Sequence, residues 1–286
     1  MWIPPIPLLN FFVVLVMLSI GLRVSTGSLL QVVRDRSLLT RTLIANCVLI
    51  PALGFLLVKL FPLTPEASVG IFLLAAIPGT PIALQFTRMA KTRLAFAAIM
   101  TFVLSLVSIA LTPLAIELSP RIVTHTQPPI LHFVPSLLLY IAAPLCAGVW
   151  LARRLPNTAY RFVLPLDIFA TVVFLFLMWE TRLARREALY AVAGRGTILA
   201  MFLLLTFSML IGWFTGGSDS DSRRILATTT GMRSVVVVLY ISHYCFPGTN
   251  VYMVPIVYLS LMVPTNLLFH LSVMLWQKLK ISHAPA

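Results

Sequence analysis

About nine predominantly apolar stretches follow one another along the chain, each near the 20 residues that a helix needs to cross the hydrocarbon core of a bilayer. By that rule they fall at roughly 3–22, 39–61, 65–89, 92–117, 130–152, 160–180, 188–213, 223–246 and 249–277. The runs are continuous rather than alternating, which excludes a membrane β-barrel. With 59% hydrophobic and 10% charged residues, the chain has too little polar surface for a soluble domain. The expected fold class is an all-α polytopic membrane protein, and its first partner is a lipid bilayer.

The formal net charge of +13 does not point to nucleic acid, because the basic residues lie in short clusters between apolar stretches. If the helices alternate in direction, Arg23, Arg34, Arg36, Arg41, Arg88, Lys91, Arg93, Arg153, Arg154, Arg161, Arg223, Arg224, Lys278 and Lys280 share one side. Lys59, Arg121, Arg182, Arg185, Arg186 and Arg195 take the other. The positive-inside rule then places the N-terminus outside and the C-terminus in the cytoplasm. Arg182–Arg186 violates that bias locally, as a kinked interfacial turn or as the sign of a misplaced seventh helix. Trp2, Trp150, Trp179, Trp213 and Trp276 fall near helix ends, where an aromatic belt belongs. Short loops and the lack of a transit segment suit a bacterial inner (plasma) membrane, and the N-terminus lacks the basic region of a cleaved signal. Cys47, Cys146 and Cys245 follow no metal or redox spacing and are expected to be buried small apolar residues. No cofactor is expected, with a sodium ion as the one alternative. Oligomeric state is not legible.

Two stretches are interrupted. Within Ile225–Phe246 stand Thr228-Thr229-Thr230-Gly231-Met232-Arg233-Ser234, residues able to loosen a helix around a full positive charge. An arginine at the centre of a membrane helix costs about 2.5–3.5 kcal/mol on insertion scales and marks a functional site by default. Within Val69–Met89 stand Pro78-Gly79-Thr80-Pro81, in which the prolines remove backbone donors and Gly79 permits unusual dihedrals. A packed proline kink is the plain alternative there. The third and eighth helices are an odd number of crossings apart and run oppositely, each followed by one closing helix. This is the pattern of an inverted repeat, with one helix fewer in the first half, and paired breaks of this kind point to a transporter binding site.

These motifs carry a resemblance. Ala76-Ile77-Pro78-Gly79-Thr80 followed by Ala90-Lys91, Gly231-Met232, Ile50-Pro51 and Leu111-Thr112-Pro113-Leu114 resemble landmarks of the bile acid:sodium symporter family. The resemblance implies two crossing broken helices in a core of helices two to four and seven to nine (about 39–117 and 188–277). It also implies a panel of helices one, five and six (about 3–22, 130–152 and 160–180) that rocks against this core within one transporter domain, 1–286. Carried over position by position, the family's sodium ligands fall on Ala83, Leu84, Ala97, Thr101, Thr229, Arg233, Ser234 and Asn46. The family's carboxylate is gone and a guanidinium enters the site, which opposes a metal cation in a low dielectric.

The expected function is secondary transport of a small organic anion by alternating access, with sodium coupling altered or absent. Arg233 would replace the coupling cation, neutralise carbonyls freed at the crossing and attract the anion; its structural alternative is snorkelling or pairing. Thr229, Thr230, Met232, Ser234, Pro78, Gly79, Thr80, Thr101 and Asn46 are the further candidates for substrate or ion binding. Asp167, the other charge at membrane depth, would pair with Arg233 in one conformation or carry a proton, unless it simply meets Arg161. His270 reads as a helix contact rather than a relay. Loss of the sodium ligands also allows a transport-inactive membrane protein that binds a ligand or partner. No arrangement of catalytic residues appears at membrane depth, so an enzyme is not expected.

Overall fold

The computed structural model describes residues 6–24, 35–79, 83, 94–119, 130–184, 187, 190, 192, 194 and 196–282. The described residues are almost wholly helical. They include ten helices, α1 (Ile6–Leu22), α2 (Arg36–Leu60), α3 (Pro65–Ala76), α4 (Leu94–Leu118), α5 (130–154), α6 (Pro156–Ala184), α7 (Thr197–Thr215), α8 (Ser220–Gly231), α9 (Val235–Cys245) and α10 (Met253–Ser282). Among the described residues seven spans are long and apolar enough to cross a membrane, and α8 with α9 counts as one of them; α1 and α3 are shorter apolar helices. Every stretch read from the sequence therefore has its helix.

Boundaries differ from the expected ones near polar residues. The seventh membrane helix starts at Thr197, behind the left-handed Gly196, and not near 188. Arg182 belongs to α6, which runs on to Ala184, while Arg185 and Arg186 lie outside the described residues. Thr228, Thr229 and Thr230 are helical, so the break in that span is confined to Met232–Ser234. Asp219 caps α8 by accepting from Ser222 N at 3.1 Å. Cys146, expected inside, is exposed on α5, whereas Cys245 is buried.

Two helices open into a π turn, Ala45–Leu49 in α2 and Leu138–Ala142 in α5. Each lies just before a proline, Pro51 or Pro144. A proline ring clashes with the carbonyl four residues back and supplies no donor to it, so the preceding turn widens to i→i+5 bonding. Ile50 N–H accordingly reaches Ala45 O.

Packing sorts the helices. α1 lies against α5 and α6. The contact with α5 is a close backbone approach: a methyl on Gly21 would stand 2.3 Å from Leu145 O and 2.9 Å from Gly148 Cα. Small residues let membrane helices meet this tightly. Phe12 stacks on Phe174 of α6 at 5.2 Å. Leu164, Ile168, Val172, Leu175 and Trp179 form one exposed apolar stripe on α6, as a lipid-facing surface requires. In the other group, α3 packs on α2, α4, α9 and α10, and α8 packs on α7 and α4. In the span containing α8 and α9, residues 224–242 are all buried.

Candidate functional site

The last turn of α3 explains the site. Ile77 N–H closes on Leu73 O at 3.0 Å, and the chain then turns extended at Ile77 (φ −109°, ψ 99°). In a continuing helix Leu74 O would accept from residue 78, but Pro78 has no N–H. Ala75 O would accept from Gly79, which has turned to φ 87°. Gly79 suits this place on two counts. Its φ is left-handed, and a Cβ would stand 2.9 Å from Ser105 N of α4. Two carbonyls are thus left without helical donors where lipid offers none.

Arg233 supplies the donors. Its Nε donates to Leu74 O at 2.9 Å, its Nη2 donates to Ala75 O, and its Nη1 donates to Asn46 Oδ1 at 2.8 Å. The residue is fully buried, with 0% exposure. Carbonyls at a helix C-terminus carry the negative end of the helix dipole, so the guanidinium sits at the potential that favours a cation. Asn46 is placed by the π turn of α2. Its Nδ2 donates to Thr42 O at 3.0 Å and to Thr230 Oγ1 at 3.2 Å. The two breaks also bond directly, Ser234 N–H to Ile77 O at 3.3 Å. At the far side of the second break, Tyr258 Oη donates to Gly231 O at 2.9 Å.

The other expected residues divide. Met232 is buried in the core beside the crossing. Thr229 Oγ1 turns back to Ile225 O at 2.9 Å and so is engaged within its own helix. Thr101 Oγ1 and Ser234 Oγ are buried and have no hydrogen-bond partner among the described residues. Ala83 and Ala97 are buried and bring no side-chain oxygen. Thr80 and Leu84 lie outside the described residues. Thr228 Oγ1 lies 3.0 Å from His270 Nε2, so His270 makes the helix contact expected of it.

Asp167 departs from expectation. It pairs with neither Arg233 nor Arg161 but with the guanidinium of Arg23, and it accepts from Ser19 Oγ. Ser19 is on α1 and Arg23 lies in the turn just after it. Arg23 had read as an ordinary connection charge; its role needed the fold, because it is 144 residues from Asp167. Asp167 also lines a cavity of about 220 Å³ between α1 and α6 on one side and Val236, Leu259 and Val263 on the other. Arg233 is not among the lining residues. Beyond the cavity, Tyr244 Oη donates to Asn10 Oδ1 at 2.9 Å and ties α9 to α1.

Comparison with known proteins agrees with the architecture. Residues 10–186 match the model of the sodium bile acid symporter family. The chain is 24% identical over 277 residues to the probable sodium/metabolite cotransporter BASS5, chloroplastic, of Oryza sativa subsp. japonica, covering 92% of this chain and 67% of that protein. It is 24% identical over 206 residues to the probable sodium/metabolite cotransporter BASS1, chloroplastic, of Arabidopsis thaliana, covering 70% and 51%. A further similarity is to the P3 protein of Bos taurus, 24% over 201 residues, covering 68% and 41%.

Proposed function

Because the chain belongs to the sodium bile acid symporter family, we propose that it is a secondary transporter that carries a small organic anion by alternating access and needs no sodium to do so. Family membership supports transport, and the names of the relatives, sodium/metabolite cotransporters, support a metabolite-sized cargo.

One observation carries the sodium-independent part: the buried Arg233 guanidinium donates to Leu74 O, Ala75 O and Asn46 Oδ1. Oxygens that would suit a hard cation already have a cation's donors. Thr229 Oγ1 is bonded to Ile225 O, Ala83 and Ala97 offer nothing, and of these positions only Thr101 Oγ1 and Ser234 Oγ are left without a partner among the described residues. Two hydroxyls beside a fixed guanidinium, with no carboxylate, are a poor seat for a sodium ion. A monovalent cation about 4 Å from the guanidinium would be repelled by about 4 kcal/mol at an effective dielectric of 20.

Arg233 therefore holds the two breaks together permanently, where a dissociable ion would hold them only when bound. The moving group is α1, α5 and α6, which meets the remainder through the cavity and through the Asn10–Tyr244 contact. Arg233 acts on the anion through its field and not by touching it, since it does not reach the cavity. The orientation expected from Lys and Arg, N-terminus outside and C-terminus cytoplasmic, belongs to the same reading and is checked by reporter fusions at each terminus. Counterflow of labelled organic acids in proteoliposomes free of sodium tests the proposal. Exchange above protein-free liposomes supports it; ligand binding with no exchange for any acid that binds overturns it.

A further inference from the structure

The cavity beside α1 is apolar except at one end, where Ser19, Asp167 and Thr171 meet it. Thr171 Oγ1 is engaged with Asp167 O at 2.7 Å. Asp167 itself is held by Ser19 Oγ and the Arg23 guanidinium. The ion pair is only partly withdrawn from solvent, with side-chain exposures of 11% for Arg23 and 19% for Asp167.

We infer that Arg23 is the group that receives the acidic end of the cargo, and that Asp167 stands in for that acid until cargo arrives. This deepens the proposed function and rests on it. Three observations lead there.

The lining suits an amphipathic solute. Phe12, Val16, Phe174, Val236 and Leu259 would take an apolar body, and the polar end would take one head group.

The sign follows from the charges around the cavity. Arg23 and Asp167 cancel. The uncompensated charge is Arg233, with which no carboxylate pairs among the described residues. Val236, three residues further along, lines the cavity. It lies in the first turn of α9, where no side chain caps the helix. Both the guanidinium and the helix N-terminus favour an anion over a cation.

Availability selects Arg23. Arg233 is committed to Leu74, Ala75 and Asn46 and stays off the cavity. Arg23 does not line the cavity either, but it is bonded to a carboxylate that does, one bond away from the space. Replacing one carboxylate by another on a guanidinium keeps the charge-assisted, planar geometry of the bond. Asp167 retains the Ser19 hydroxyl as it turns aside. With cargo bound, the two guanidiniums and two carboxylates balance.

The test uses the full chain in lipid nanodiscs and three probes that differ only in the head group: 4-phenylbutyrate, its neutral amide 4-phenylbutyramide, and 4-phenylbutylamine. Calorimetric titration should find the carboxylate bound about tenfold or more tightly than the other two. Asp167→Asn, which frees Arg23, should tighten carboxylate binding by a similar factor of about ten. Arg23→Gln should remove the preference for carboxylate over amide. The double variant Arg23→Gln with Asp167→Asn leaves neither member of the ion pair stranded and guards against misfolding; it too should fall well short of the wild-type preference. No binding of the carboxylate, equal binding of all three probes, tighter binding of the amine, or a double variant that keeps the preference would each overturn the inference. Counterflow of labelled 4-phenylbutyrate separates the two readings. Binding as expected without exchange strikes the transporter and leaves the role of Arg23. Exchange in which Arg23→Gln keeps the wild-type preference strikes the role of Arg23 alone.

Discussion

Arg233 Nη1 donates to Asn46 Oδ1 at 2.8 Å, so a side chain set by a π turn in α2 fixes the guanidinium between two interrupted helices. Asn46 satisfies three groups at once, because its Nδ2 also reaches Thr42 O and Thr230 Oγ1. Asn46→Leu should strand a buried charged donor and cost about 1.5–3 kcal/mol, read as a lower melting temperature of the purified protein. Combined with Arg233→Met, the loss should be less than the sum of the two single losses, because the shared bond can be lost only once.

Gly79 has φ 87° and no room for a side chain, with Ser105 N 2.9 Å and Leu104 C 3.0 Å from the place of a Cβ. Both obstacles are backbone and cannot swing aside. Gly79→Ala should destabilise by about 1–3 kcal/mol. A melting temperature equal to wild type would mean that this turn relaxes more easily than its packing implies.

Pro78→Ala gives residue 78 an N–H that Leu74 O can accept, in competition with Arg233 Nε. Extending α3 by one bond pulls the guanidinium away from one of its three acceptors. Stability should change by no more than about 1 kcal/mol, since one donor replaces another. The exchange rate should fall severalfold as the crossing loses its geometry. A proline whose only role is to kink a packed helix would leave exchange unaffected.

Tyr258→Phe removes the only hydrogen-bond donor that reaches Gly231 O among the described residues, a contact of 2.9 Å. A buried carbonyl without a donor costs about 1–3 kcal/mol. The melting temperature should fall, while the head-group preference of ligand binding should not change, since Tyr258 does not line the cavity.

How much of this could be read from the sequence depends on the range of the interaction involved. Apolar length is a local property, so each stretch has its helix, and the Pro78 and Arg233 interruptions fall where their chemistry puts them. The extent of the second break was overread: a threonine can return its hydroxyl to a carbonyl one turn back, as Thr228 and Thr229 do, and remain helical. The start of α7 was placed too early because the charges around 182–186 extend α6 instead of separating two spans. The partners of Asp167 and Arg233 were out of reach, because each joins elements about 150 residues or more apart. The π turns had a local cause, the prolines at 51 and 144, and that signal was available.

Arg233 stands in the place of a coupling ion. This is tested most directly by anion exchange in proteoliposomes, titrated from zero to high sodium with choline as the replacement cation at constant ionic strength. With Arg233 in that place, the rate and the affinity for the anion should be the same at every sodium concentration. A saturable rise in rate with sodium that choline does not reproduce would contradict it.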